Sequence, residues 1–118
     1  MRLKNVLIVV ENVEKSRDFY KELFGLQVIS DFGENVMMTE GLVLQEKKIW
    51  EKQIGHECTS GGDCAELYFV ESDLDRFIEK MEESEFKIEI VNEMAENSFG
   101  KRRIRIYDPD HHIIEIGE

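Results

Sequence analysis

The sequence predicts an α+β fold made of two β-α-β-β-β modules. Two observations carry that prediction: a run of strand, helix and three short strands occurs twice in 118 residues, and placing Asn5 on Glu66 aligns Val9 with Val70, Asn12 with Asp73 and Val13 with Leu74. First strand, helix cap and helix start coincide in both copies, which marks an internal duplication. A chain of this length makes one ordinary domain with room for a real core. We expect a single domain over 1–118, with module one at 1–50, a linker at 51–63 and module two at 64–118.

In the first module, Leu3 to Val10 is an apolar, β-branched run and reads as a strand covered on both faces. Asn12 offers a helix cap, Val13, Phe19, Tyr20, Leu23 and Phe24 fall on one helical face, and Gly25 supplies the stop. Short strands follow at Gln27 to Phe32, Asn35 to Thr39 and Leu42 to Glu46, separated by Gly33 and Gly41. In the second module the strand AELYFV leads to Asp73 as cap and to a helix with Leu74, Phe77, Ile78 and Met81 on its apolar face. Its remaining strands are expected at Lys87 to Val91, Arg102 to Tyr107 and Ile113 to Ile116.

Fifteen basic against twenty-six acidic residues leave a formal charge of −11. Such a balance repels phosphate backbones and anionic lipid surfaces, so neither nucleic acid nor membrane is an expected partner. The local cluster Lys101, Arg102, Arg103 and Arg105 suits a small anionic group instead. The first apolar stretch, Val6 to Val10, is too short for a signal peptide core or a membrane span, and a cytoplasmic location is expected. His56, Cys58 and Cys64 lack a fourth metal ligand and read as a reduced-thiol loop.

The stretches NVLIVVENVEKSRDFYKELFGLQVI, AELYFVESDLDRF and DPDHHIIEI together resemble the vicinal oxygen chelate superfamily, which includes glyoxalase I, bleomycin-resistance proteins and extradiol dioxygenases. The resemblance covers essentially the whole chain. It implies that the strands of the paired modules curl into a cupped mixed sheet, the glyoxalase/bleomycin-resistance fold, completed as a homodimer. It also implies four positions facing one another in the cup, which fall here on Asn5, Gln45, Glu66 and Glu115. Relatives of the glyoxalase type usually carry histidine on one or both first-strand positions. This chain has Asn5 and Glu66 there, so the implied cofactor, a divalent metal such as Mg, Mn, Ni or Zn, would be held by Gln45, Glu66 and Glu115 with Asn5 at the fourth position. Four oxygen donors suit Mg, Mn or Ca better than zinc or nickel.

Strand alternation brings a competing set of residues to the same place. Ile104 and Ile106 claim the helix-covered face, which sends Arg103, Arg105 and Tyr107 to the side of Glu66 and Glu115. Guanidinium groups facing carboxylates neutralise them without any cation. Alternatively the arginines hold the negative group of a small ligand while Glu66 or Glu115 acts on a proton, making these two glutamates the catalytic candidates. Tyr68, in phase with Glu66, together with Tyr107 and Trp50 completes the candidate ligand-binding set. His111 and His112 occupy the turn after Pro109, where His tolerates positive φ better than most residues. Three functions stay open: a protein that binds a small molecule in the cup without the usual histidine metal ligands; a divalent-metal-dependent lyase or isomerase resembling lactoylglutathione lyase; and a structural domain whose cup is closed by salt bridges.

Overall fold

A computed structural model describes residues 1–59 and 61–118. The chain divides into two compact units, Met1–Ser60 and Gly61–Glu118, each carrying its own sheet. The first contains β1 (Val6–Val10), α1 (Val13–Phe24), β2 (Val28–Asp31), β3 (Asn35–Met38), β4 (Leu42–Glu46) and α2 (Lys47–Ile54). The second contains β5 (Glu66–Val70), α3 (Leu74–Glu83), β6 (Ile90–Glu96), β7 (Arg102–Tyr107) and β8 (Ile113–Gly117). Sheet orders are β1-β4-β3-β2 and β5-β8-β7-β6, each with one parallel pair and two antiparallel pairs. The α+β class and the repeated β-α-β-β-β order are as the sequence predicts. Among the described residues, no helix is long and apolar enough to cross a membrane.

The helix signals operate as local chemistry requires. Asn12 accepts a hydrogen bond from the Lys15 backbone N–H at 3.0 Å, and Gly25 takes a left-handed φ of 69° while its N–H returns to the Lys21 carbonyl. Asp73 caps α3 the same way through the Arg76 N–H at 3.1 Å. Within the first unit, α1 buries Val13, Ser16, Phe19, Tyr20 and Leu23 and lies against β3 and β4. The Phe19 and Tyr20 rings meet edge to face at 5.1 Å. Truncating such a buried aromatic costs about 3–5 kcal/mol. In the second unit, the core is built by Leu74, Phe77 and Met81 of α3 with Ile104, Ile106, Ile114 and Ile116 of the sheet.

Several boundaries differ from the sequence prediction. β1 begins at Val6 rather than Leu3, and its first residues, Val6 and Leu7, are exposed rather than covered on both faces. Residues 47–54 form α2, a helix that spans the expected module limit at 50 and the start of the expected linker. Glu46 caps α2 through the Lys48 N–H, and Gly55 ends it with a φ of 83°. β6 lies at Ile90–Glu96, displaced toward the C-terminus from the expected Lys87 to Val91. From Asn92 onward its residues are exposed and mixed in polarity, as an edge strand tolerates, so apolar periodicity pointed upstream.

Candidate ligand site on the second sheet

The site is set by strand register. β8 lies between β7 and β5, with Arg105 directly opposite Glu115 on one side and Tyr68 opposite Glu115 on the other. Alternation then gives the sheet two chemistries: Ile104, Ile106, Ile114 and Ile116 are buried toward the core, whereas Arg103, Arg105, Glu66, Tyr68 and Glu115 share the other face.

Arg105 is the centre of that face. Its Nε donates to Glu66 Oε1 at 3.0 Å, one terminal nitrogen donates to Glu115 Oε2 at 3.2 Å, and the other donates to Asn92 Oδ1 at 3.2 Å. Arg103 approaches Glu115 Oε1 at 3.8 Å, an ion pair without a hydrogen bond, and keeps 48% of its side chain exposed. Glu115 is the most enclosed member, with 13% of its side chain exposed. Glu66 and Glu115 act on each other as a carboxyl pair that favours holding one proton. That interaction, reinforced by burial, pushes Glu115 above the ordinary carboxylate range although Arg105 opposes it. The same interaction, helped by Arg105 and Arg103 against a burial cost, pulls Glu66 below that range.

Tyr68 is exposed, and its ring lies over Gly117: a Cβ at that position would meet the Tyr68 hydroxyl at 2.8 Å. Gly117 is the register partner of Arg103, so the phenol rests beside the strand position from which Arg103 projects. Tyr107 is on the same face but stacks on His111 with ring centroids 4.5 Å apart. His111 has a φ of 64°, as the turn demands, and its Nε2 lies 2.9 Å from Glu89 Oε2. Trp50 lies on α2 in the first unit. Asn92, the third partner of Arg105, was not among the sequence candidates; its only signal was its place in a strand whose register the sequence misplaced.

Of the implied metal positions, Gln45, Glu66 and Glu115 already have protein partners within their own units. Gln45, only 3% exposed, accepts from Asn35 Nδ2 at 2.8 Å and donates to the Glu34 carbonyl at 3.2 Å, so both ends of its amide serve the first unit. Asn5 lies just before β1. Glu66 and Glu115 already share Arg105, and a divalent ion binding them would compete with that guanidinium while gaining no imidazole ligand. Within the second unit, Glu66 and Glu115 are matched to a guanidinium rather than to a divalent ion.

A different group is spaced closely enough to hold one. Asp108, Asp110 and His112 each bring a ligand atom within 4.8 Å of the others. The same atoms hold the turn: Asp108 Oδ1 accepts the Asp110 and His112 backbone N–H groups at 2.8 and 2.9 Å, and its Oδ2 lies 2.8 Å from His112 Nδ1. Burial lowers the His112 pKa, but Asp108 and Asp110 outweigh it and the net shift is upward. Both cysteines, Cys58 and Cys64, are free.

Solved structures with the same fold span nearly all of this chain. A protein of unknown function from Agrobacterium tumefaciens str. C58 is 28% identical, with a TM-score of 0.84 over 100% of this chain and 94% of that one. A glyoxalase/bleomycin resistance protein/dioxygenase family enzyme from Burkholderia phytofirmans PsJN is 16% identical, with a TM-score of 0.84 over 99% and 98%. A lactoylglutathione lyase from Agrobacterium tumefaciens is 18% identical, with a TM-score of 0.76 over 99% and 92%. Likeness at the last two identities concerns the fold alone. No match was found among curated proteins. Residues 3–118, almost the entire sequence, match the Glyoxalase-like domain, and the chain belongs to that family, within the vicinal oxygen chelate superfamily.

Proposed function

We propose that the protein binds a small anionic molecule on the second sheet, with Arg103 as the anchor and no metal ion taking part. The observation that carries this reading is the unequal commitment of the two arginines. Arg105 spends its guanidinium on Glu66, Glu115 and Asn92, whereas Arg103 makes one long contact and is half exposed. A guanidinium with free donors matches a carboxylate or phosphoryl group in two-point geometry. The Tyr68 hydroxyl adds a donor or acceptor nearby, and the apolar Val70, 72% exposed, extends the same face of β5.

The carboxyl pair gives this site a chemical capacity beyond holding an anion. Glu115 is biased toward its protonated form and Glu66 toward its ionised form, so one can give and the other accept a proton on a bound molecule. Glu66 and Glu115 are thus the proposed catalytic residues, should the bound molecule react, and Arg103, Arg105 and Tyr68 the residues that bind and orient it. A metal-dependent lyase or isomerase is the less supported reading, because Arg105 holds the two carboxylates such a metal would need. The proposed setting is a cytoplasmic homodimer: free thiols suit a reducing compartment, and exposed Val70 offers apolar surface to a second copy.

The test is thermal-shift and calorimetric screening of small carboxylates and phosphorylated compounds against the native protein and Arg103→Gln. A ligand that stabilises the native protein and binds Arg103→Gln at least tenfold more weakly supports the proposal. Hits that bind both proteins equally would remove Arg103, and with it the site, from the account.

A further inference from the structure

The two modules share an order of elements but not the packing of their helices. With Asn12 placed on Asp73, the buried Phe19, Tyr20 and Leu23 of α1 correspond to Lys80, Met81 and Ser84. Lys80 is exposed and Ser84 ends α3, so two large apolar side chains have no counterpart and a methionine replaces a tyrosine. Phe77 stands in the place of Ser16 and is buried.

A cavity of about 460 Å³ lies beside Met81, between α3 and the strands β6 and β7. That volume is within the range of roughly 300–1,000 Å³ typical of small-molecule sites. Met81, Phe86, Ile90 and Ile104 supply apolar walls, and Glu82 and Glu93 flank it. Because Ile104 and Arg105 are consecutive in β7, the cavity opens on the opposite face of the sheet from the arginine-glutamate cluster. A bulge helps to shape it: between the pairs Asn92 with Arg105 and Ala95 with Arg103, β6 carries two residues, Glu93 and Met94, against the single Ile104.

The charge at the cavity is acidic. Glu82 and Glu93 are exposed and form no ion pair among the described residues. Arg102 reaches the sulfur of Met94 at 3.9 Å, but its guanidinium is held by Asp75 and Glu118. An apolar hollow with uncompensated carboxylates, on a chain of net charge −11, selects for a cation with a hydrocarbon body.

We propose that this cavity is a second binding site, for an apolar ammonium compound whose hydrocarbon part packs against Met81, Phe86, Ile90 and Ile104 and whose charge meets Glu82 and Glu93. It is independent of the anion site at Arg103. The test titrates 2-naphthylmethylammonium into the full chain, followed by amide NMR and calorimetry, beside neutral 2-naphthylmethanol and anionic 2-naphthoate. The expected result is one saturable site with shifts at Met81, Ile90 and Ile104, and binding at least tenfold tighter for the cation than for the anion. Met81→Trp should abolish it by filling the hollow. Glu82→Gln with Glu93→Gln alters only exposed side chains, keeps the fold, and should weaken the cation at least threefold while leaving the neutral compound unchanged. Equal binding of cation and anion, an unchanged cation affinity in the double variant, or shifts confined to the Arg103 face would each overturn the proposal.

Discussion

Arg105 and Glu115 are direct register partners on neighbouring antiparallel strands, and the arginine's guanidinium bridges Glu115 at 3.2 Å to Glu66 at 3.0 Å. One side chain therefore holds together two carboxylates that would otherwise repel. Replacing it with an apolar residue of similar length leaves both glutamates without their shared cation. Arg105→Met is expected to lose about 1–3 kcal/mol at pH 7, the lower part of the range for breaking an enclosed pair because Arg105 and Glu66 remain partly wet. The loss should shrink as pH falls, first as Glu115 takes up its proton and then as Glu66 does, and urea denaturation across the acid range measures it. The same variant should gain affinity for Mg or Mn, since the ion's competitor is gone.

Glu115→Gln separates the two carboxylates by pH. A raised folded pKa means that Glu115 contributes its stability in full below the ordinary glutamate value of 4.5 and loses it as pH rises through the elevated value. Glu66, with a lowered pKa, behaves oppositely: its contribution is present above 4.5 and fades as pH falls through the depressed value. Glutamine imitates the protonated acid at every pH, so the variant should gain on the native protein as pH rises from 4.5 to 7. Thermal melts across that range check the direction, and a native protein that instead gains on the variant would refute the shared-proton assignment.

Gly117→Ala probes the seat of Tyr68. The added methyl group would stand 2.8 Å from the phenol oxygen and 3.2 Å from a ring carbon, so the exposed ring must move. Because the tyrosine is on the surface, stability should change by less than about 1 kcal/mol. Any ligand held by Arg103 and Tyr68 should bind severalfold more weakly, which calorimetry would measure.

Asp108→Ala removes the buried carboxylate that closes the DPDHH turn. Two backbone N–H groups and the His112 ring lose their acceptor, and the expected cost is about 3 kcal/mol, read by chemical denaturation. Asp108→Asn keeps one acceptor oxygen and should recover part of that loss.

What was legible in the sequence followed from local rules. Asn12, Gly25 and Asp73 gave the helix limits because caps act within one turn, and alternation placed Arg103, Arg105, Glu66 and Glu115 on one face because a strand has only two. α2 escaped notice although Glu46 and Gly55 cap it, since KKIWEKQI runs straight on from β4. Asn92 was missed because β6 is an irregular edge strand, where register depends on bulges that leave no apolar pattern. The commitments of Gln45 to Asn35 and of Arg105 to three acceptors depend on pairings between strands. A list of residue types gives the members of such a cluster but not which of them remains free.

In the proposed reading, Glu66 and Glu115 are partners of arginine rather than of a metal. Its most direct test is calorimetric titration of chelator-stripped protein with Mg, Mn, Ni, Zn and Ca, repeated on Glu115→Gln and Asp108→Asn. The account predicts no binding that depends on Glu115; any ion retained should be lost in Asp108→Asn alone. One ion per chain bound by the native protein and by Asp108→Asn, but lost in Glu115→Gln, would contradict it.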